Sequence, residues 1–149
     1  MRHHLNGYTY TQEVSVEQLA HMLDWSLLWH KRNQSATFSL VLIDFHDPSA
    51  LGNSLGAAHA MALIRRVSRE LTEVLRSTDL FCRVRVSSFV VFLPLGSPSI
   101  VLNKIEPVLA YARADGLDAS QLHVAKIEVP DDLLAEKTAV ELFDRLYAR

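Results

Sequence analysis

Few side chains in this sequence stand where chemistry is legible. Asp44 closes the apolar run Phe38-Ser39-Leu40-Val41-Leu42-Ile43, which puts a carboxylate at the tip of a buried strand. Arg76 and Asp79 stand three positions apart. An arginine fork can pair bidentately with a phosphate, and the same spacing also suits a plain ion pair near a helix C-terminus. Other reactive types carry no such signal. Cys82 is the only cysteine, so no intramolecular disulfide or cysteine-based zinc site exists. On an inner strand it reads as packing rather than as a nucleophile. His21, His30, His46, His59 and His123 share no metal-type spacing, and no Gly-x-Ser-x-Gly elbow or glycine-rich phosphate loop occurs.

These residues need elements to hold them. Ser15 followed by Gln18 forms a capping box that opens a helix over about residues 16–31. Leu19, Leu23 and Leu27 lie on one side of it, and Trp25, Leu28 and Trp29 widen the apolar face. One stripe suffices for a core, so the extra width either covers the domain edge or meets a partner, as a homodimer or with another protein. A strand over 38–44 precedes a turn or broken helical entry at Asp47-Pro48-Ser49 and Gly52-Asn53-Ser54. A long amphipathic helix spans about 57–76, with Val67, Leu71 and Val74 inward and Arg65, Arg66 and Arg69 outward. Strands over about 80–85 and 89–93 form an antiparallel hairpin through Val86-Ser87-Ser88. Ser97-Pro98 opens a helix kinked at Pro107 and ended by Asp115-Gly116. A strand over 122–129 stops at Pro130, and Thr138 with Glu141 caps a last helix over about 139–148.

Without its terminal helices the order is strand, helix, strand, strand, helix, strand. That is the ferredoxin-like split arrangement, an α+β fold with helices on one face of a mainly antiparallel sheet. Right-handed crossovers leave the third strand between the first and second. Asp44 then lies beside the turn at Arg85–Ser88, where a functional site in this fold is expected. The 149 residues, 49% apolar and 21% charged, suit one domain spanning 1–149 with its palm core over about 38–129. A net charge of -2 makes no electrostatic case for a nucleic-acid polymer or an anionic membrane. No apolar run is long enough for membrane insertion and the N-terminus is no secretory signal, so a cytoplasmic setting is expected.

Over about residues 40–94 the chain resembles the GGDEF (diguanylate cyclase) domain family, whose fold is this nucleotidyl-cyclase palm. The resemblance rests on Leu42-Ile43-Asp44, Gly56, Arg76-Ser77-Thr78-Asp79-Leu80, Arg83 and Phe89-Val90-Val91-Phe92-Leu93-Pro94, in that order and spacing. It implies a bacterial signalling context.

The family's defining turn, Gly-Gly followed by two acids, aligns with Arg85-Val86-Ser87-Ser88. Two glycines would let the backbone adopt positive φ and let a phosphate approach, whereas valine tolerates positive φ badly. Serines in place of the acids remove two charges from a site that must hold magnesium against triphosphate. The guanine-reading positions align with Gly52 and Met61, and the second metal carboxylate with His46, leaving Asp44, His46 and Asp47 as the remaining donors. The basic positions after the last strand have no match in Lys126-Ile127-Glu128-Val129. The expectation is no catalytic residue, no metal, no cofactor and no cyclase activity.

Arg76-x-x-Asp79 keeps its register, five residues ahead of Arg85. In the family such a motif is the inhibitory site for cyclic di-GMP, with arginine on phosphate or the guanine O6/N7 edge and the carboxylate on the N1 and N2 donors. The family's supporting arginine aligns with Pro107, and Lys104 one turn earlier lacks the planar fork. The resemblance thus implies a catalytically inactive receptor or regulatory module that binds cyclic di-GMP through Arg76 and Asp79. The alternative is a nucleotide-independent protein–protein interaction or dimerisation domain.

Overall fold

The computed structural model describes residues 2–5, 8–11, 13–33, 35, 37–95, 97–129 and 135–148. It opens with β1 (Arg2–Leu5) and β2 (Tyr8–Thr11), an antiparallel hairpin that the periodicity of the sequence does not reveal. Helix α1 (Val16–Arg32) starts behind a complete capping box. The Ser15 hydroxyl accepts from the Gln18 N–H, and the Gln18 side chain accepts from the Ser15 N–H.

Of the turn or broken helical entry expected after the first core strand, the structure has the helix, α2 (Pro48–Leu55), because Asp47 caps it and Pro48 suits its first position. Gly56, at φ 85, separates it from α3 (Ala57–Val74). That helix ends two residues short of Arg76, since Leu75 turns extended and is buried. Helix α4 (Pro98–Ala114) starts at Ser97 and continues through Pro107, with Gly116 at φ 115 just past its end. The last helix, α5 (Ala139–Tyr147), is capped only halfway by its own segment. Thr138 accepts from the Glu141 N–H, but the Glu141 carboxylate turns to the Lys137 N–H. The Ala139 N–H is instead capped from α1 by Asp24, at 2.7 Å.

Four strands make the main sheet: β3 (Phe38–Asp44), β4 (Leu80–Arg85), β5 (Ser88–Leu93) and β6 (His123–Val129). Their order is β4-β5-β3-β6 with every pair antiparallel, so the third core strand does lie between the first and second. Pro130 lies outside the described residues.

Strand β3 is buried along its whole length because both faces of the sheet are covered, the core helices α3 and α4 on one face as expected and the terminal helices on the other. Val41, Ile43, Phe89 and Val91 pack under α3 and α4. Leu40, Leu42, Val90 and Phe92 point the opposite way and pack against Leu19 and Leu23 of α1 and Leu142 and Leu146 of α5. A sheet apolar on both faces has to be covered on both, and the terminal helices cover the second one. Among the described residues no helix is long and apolar enough to cross a membrane.

Candidate functional site

The β4–β5 turn is one residue tighter than its sequence suggests. Arg85 pairs directly with Ser88, leaving Val86 and Ser87 as the connection. Two-residue hairpins usually need positive φ, yet among the described non-glycine residues only His46 has it. A bulge between Arg83 and Arg85 takes up the twist instead. It also re-aims a side chain. Arg83 lies over the Phe89 ring, whereas Arg85 comes level with Ser88 and lies over the Tyr147 ring, 5.2 Å from its centroid.

Cross-strand pairing then sets four polar residues in one row: Arg85 beside Ser88, Ser88 beside Asp44, Asp44 beside His123. Strand alternation puts the row on the α5 side, in line with Leu42 and Val90. Asp44 is 1% exposed, and His46 holds both of its oxygens. The His46 N–H donates to Oδ1 at 3.0 Å and the ring Nδ1 donates to Oδ2 at 2.9 Å. His46 stands at φ 55, a left-handed conformation costing about 1–2 kcal/mol. The turn braces it: the Ser87 hydroxyl donates to the His46 carbonyl, and the Phe45 N–H donates to the Ser87 carbonyl.

The last turn of α5 closes over this row. The Tyr147 hydroxyl and the Ser88 hydroxyl share a hydrogen bond, and the His123 Nε2 donates to the Leu146 carbonyl at 2.9 Å. The His46 and His123 rings stack at 6.2 Å. Burial pushes the Tyr147 phenol above its ordinary value, with the Ser88 hydrogen bond pulling the other way. Nothing local in the sequence marks Tyr147 or His123 as members of this site. Only the register of β6 and the docking of α5 bring them in.

These residues do not fit a divalent cation such as magnesium. The Asp44 oxygens are engaged, and Asp47 spends its carboxylate on the Ser49 N–H at the start of α2. Ser87 and Ser88 offer neutral hydroxyls already in hydrogen bonds. Among the described residues no group of three or more His, Cys, Asp or Glu side chains is placed to hold a metal ion. Buried Cys82 has its thiol pushed up to about 11 by burial first and then by Glu13 and Glu17, far from nucleophilic.

On the opposite face of the hairpin, a hollow of about 340 Å³ lies between α2, α3 and the turn. Gly52 and Met61, the positions aligned with guanine recognition, both line it. So do Ala57, Ile64 and the exposed Val86, and Asn53 is among its few polar groups.

Arg76 and Asp79 sit together in the loop between α3 and β4, away from that hollow. They close a reciprocal turn: the Arg76 N–H donates to Asp79 Oδ2 at 2.8 Å, and the Asp79 N–H donates to the Arg76 carbonyl at 2.9 Å. Asp79 is 5% exposed, while Arg76 is exposed. The carboxylate expected to read a base edge therefore braces the loop that carries the arginine. Lys104, the substitute for a supporting arginine, pairs with Glu70 at 3.5 Å.

A family model described as "Diguanylate cyclase, GGDEF domain" matches residues 17–113. Among solved structures, the GGDEF domain of YfiN (TpbB) from Pseudomonas aeruginosa superposes with a TM-score of 0.58 at 18% identity, over 88% of this chain and 83% of that one. The GGDEF domain of DgcB from Caulobacter crescentus, in complex with c-di-GMP, gives 0.59 at 14% identity, over 91% and 80%. The active GGEEF domain of a diguanylate cyclase from Vibrio cholerae gives 0.59 at 11% identity, over 87% and 83%. At these identities the likeness speaks to the fold. No curated protein matches the sequence.

Proposed function

The chain belongs to the diguanylate cyclase GGDEF domain family, and on that premise we propose that it is a catalytically inactive member that serves as a regulatory receptor for cyclic di-GMP through Arg76 and Asp79. The observation that carries the reading is the closed polar row. Where a cyclase needs an open carboxylate site for metal and triphosphate, Asp44 is held by His46 and the face is covered by Tyr147. The Val86 side chain projects where a glycine would leave room for a phosphate.

The nucleotide contact is assigned to the Arg76 loop. Arg76 is an exposed residue on a turn held by the buried Asp79 carboxylate. In this arrangement Arg76 makes the bidentate contact with phosphate or guanine, and Asp79 sets the geometry of the loop. Relatives of the same fold have been solved with cyclic di-GMP bound, which favours this ligand over an unrelated anion.

Calorimetric titration of cyclic di-GMP tests the receptor reading. Binding weakened about tenfold or more by Arg76→Ala is expected, matching the worth of one bidentate contact. No heat at tens of micromolar protein would remove the reading. Incubation with GTP and magnesium or manganese tests the other half, and any turnover abolished by Asp44→Asn would show a working cyclase site.

A further inference from the structure

Four aromatic rings meet at one hollow of about 490 Å³, between α1 and the ends of β3 and β5. Trp25 and Trp29, one turn apart on α1, stack nearly parallel with centroids 5.7 Å apart and stay 61% and 48% exposed. Phe38 and Phe92 form the buried floor, tilted by 45° with centroids 6.0 Å apart. The core does not call for the two indoles, because Leu19, Leu23 and Leu27 already supply the buried stripe of α1. The volume falls within the range of small-ligand sites, about 300–1,000 Å³.

Charge selects among the ligands such a hollow could take. No Asp, Glu, Lys or Arg is among its described lining residues. An anion finds no cationic side chain there to pair with. A primary ammonium would bring three N–H donors to a wall that offers no carboxylate, and unpaired donors are costly. A quaternary ammonium has no N–H to satisfy. Its methyl groups pack as apolar surface, and its diffuse charge is drawn to the negative faces of aromatic rings, indole most of all. Aliphatic side chains would serve a neutral apolar ligand equally well, whereas ring faces add an electrostatic attraction for a cation. We propose that this hollow is an aromatic cage for a small, freely diffusing quaternary ammonium solute, with a trimethylammonium group held against Trp25, Trp29, Phe38 and Phe92. The inference does not rest on the cyclic di-GMP reading, since Arg76 lies in the α3–β4 loop and not on this face.

Intrinsic fluorescence reads the site directly, because Trp25 and Trp29 are the only tryptophans of the chain. Titration of the full chain with choline chloride at pH 8, against equal sodium chloride, should give a saturable change with a dissociation constant of about 1 mM. The neutral isostere dimethylbutanol, which carries a tert-butyl group where choline has trimethylammonium, should bind about tenfold more weakly. Trp25→Leu keeps an apolar side chain at an exposed position and removes one ring face. It should weaken choline about fivefold or more and leave dimethylbutanol unchanged, while Trp25→Phe retains most of the affinity. No saturable change up to about 50 mM choline, equal binding of the neutral isostere, or choline binding untouched by Trp25→Leu each overturns the proposal. The protein should stay in the supernatant with phosphatidylcholine vesicles, and co-sedimentation would overturn the assignment to a free solute.

Discussion

Replacing Tyr147 by phenylalanine removes one hydroxyl and leaves the ring under the Arg85 guanidinium. What is lost is the hydrogen bond to Ser88, a residue 0% exposed, so water cannot take the hydroxyl's place. A buried polar group left without a partner costs about 1–3 kcal/mol. Tyr147 itself is only half-buried, which puts the loss in the lower half of that range, about 1–2 kcal/mol. Ser88→Ala should cost less, about 0.5–1 kcal/mol, because the stranded phenol is close enough to solvent to be hydrated. The double variant lacks both partners and should be as stable as Tyr147→Phe alone, a coupling of about 0.5–1 kcal/mol. Urea unfolding followed by circular dichroism reads this. With a slope of about 2 kcal/mol per molar, the Tyr147→Phe midpoint should fall by about 0.5–1 M. Additivity of the two single losses, or a Tyr147→Phe midpoint equal to wild type, would refute the docking of α5 onto the row.

Asp24→Ala should cost about 1–2 kcal/mol by uncapping α5 from another helix, and Asp24→Asn should recover most of it; equal losses in both would contradict the cap. His46→Ala should lose about 2 kcal/mol or more in the same unfolding assay, because the buried Asp44 carboxylate loses its ring donor. His46→Asn should be milder, since asparagine accepts the left-handed backbone and its amide can donate; an alanine variant as stable as asparagine argues against the Asp44–His46 contact. Cys82 titrates near 9.0 when unperturbed and near 11 in the fold. Below pH 9 the thiol is protonated in both states, but between about 9 and 11 only the unfolded state releases its proton, so stability falls as pH rises through that window. Cys82→Ala should flatten that part of the stability–pH profile, and an unchanged slope would contradict it.

The elements were legible wherever a local signal set them. Ser15 with Gln18, Ser97-Pro98 and Thr138 each start a helix in the structure, and the apolar run 38–43 is the central strand. The reading failed where the signal was ambiguous or distant. Asp47-Pro48 fits a turn and a helix start equally well, and only the packing of Leu51 into the core makes it a helix. The element order places the core helices on one face of the sheet, as found, but that α1 and α5 cover the other face is settled by packing, because β3 is apolar on both faces and carries no periodicity that assigns its covers.

For the site, residue identities alone established that the turn carries Arg85, Val86, Ser87 and Ser88 and that Arg76 and Asp79 keep their spacing. The side chains' availability was decided by tertiary structure. Asp79 looked like a ligand-facing carboxylate and is buried as the brace of its loop, while Asp44 looked solitary and is held by His46. Tyr147 is separated from Ser88 by 59 residues, and only the docking of a helix onto the far face of the sheet brings their hydroxyls together. Local sequence dictates which backbone conformations and donor types are present, since caps, turns and periodicity act over a few residues. Which of those donors is already satisfied depends on contacts across the whole fold.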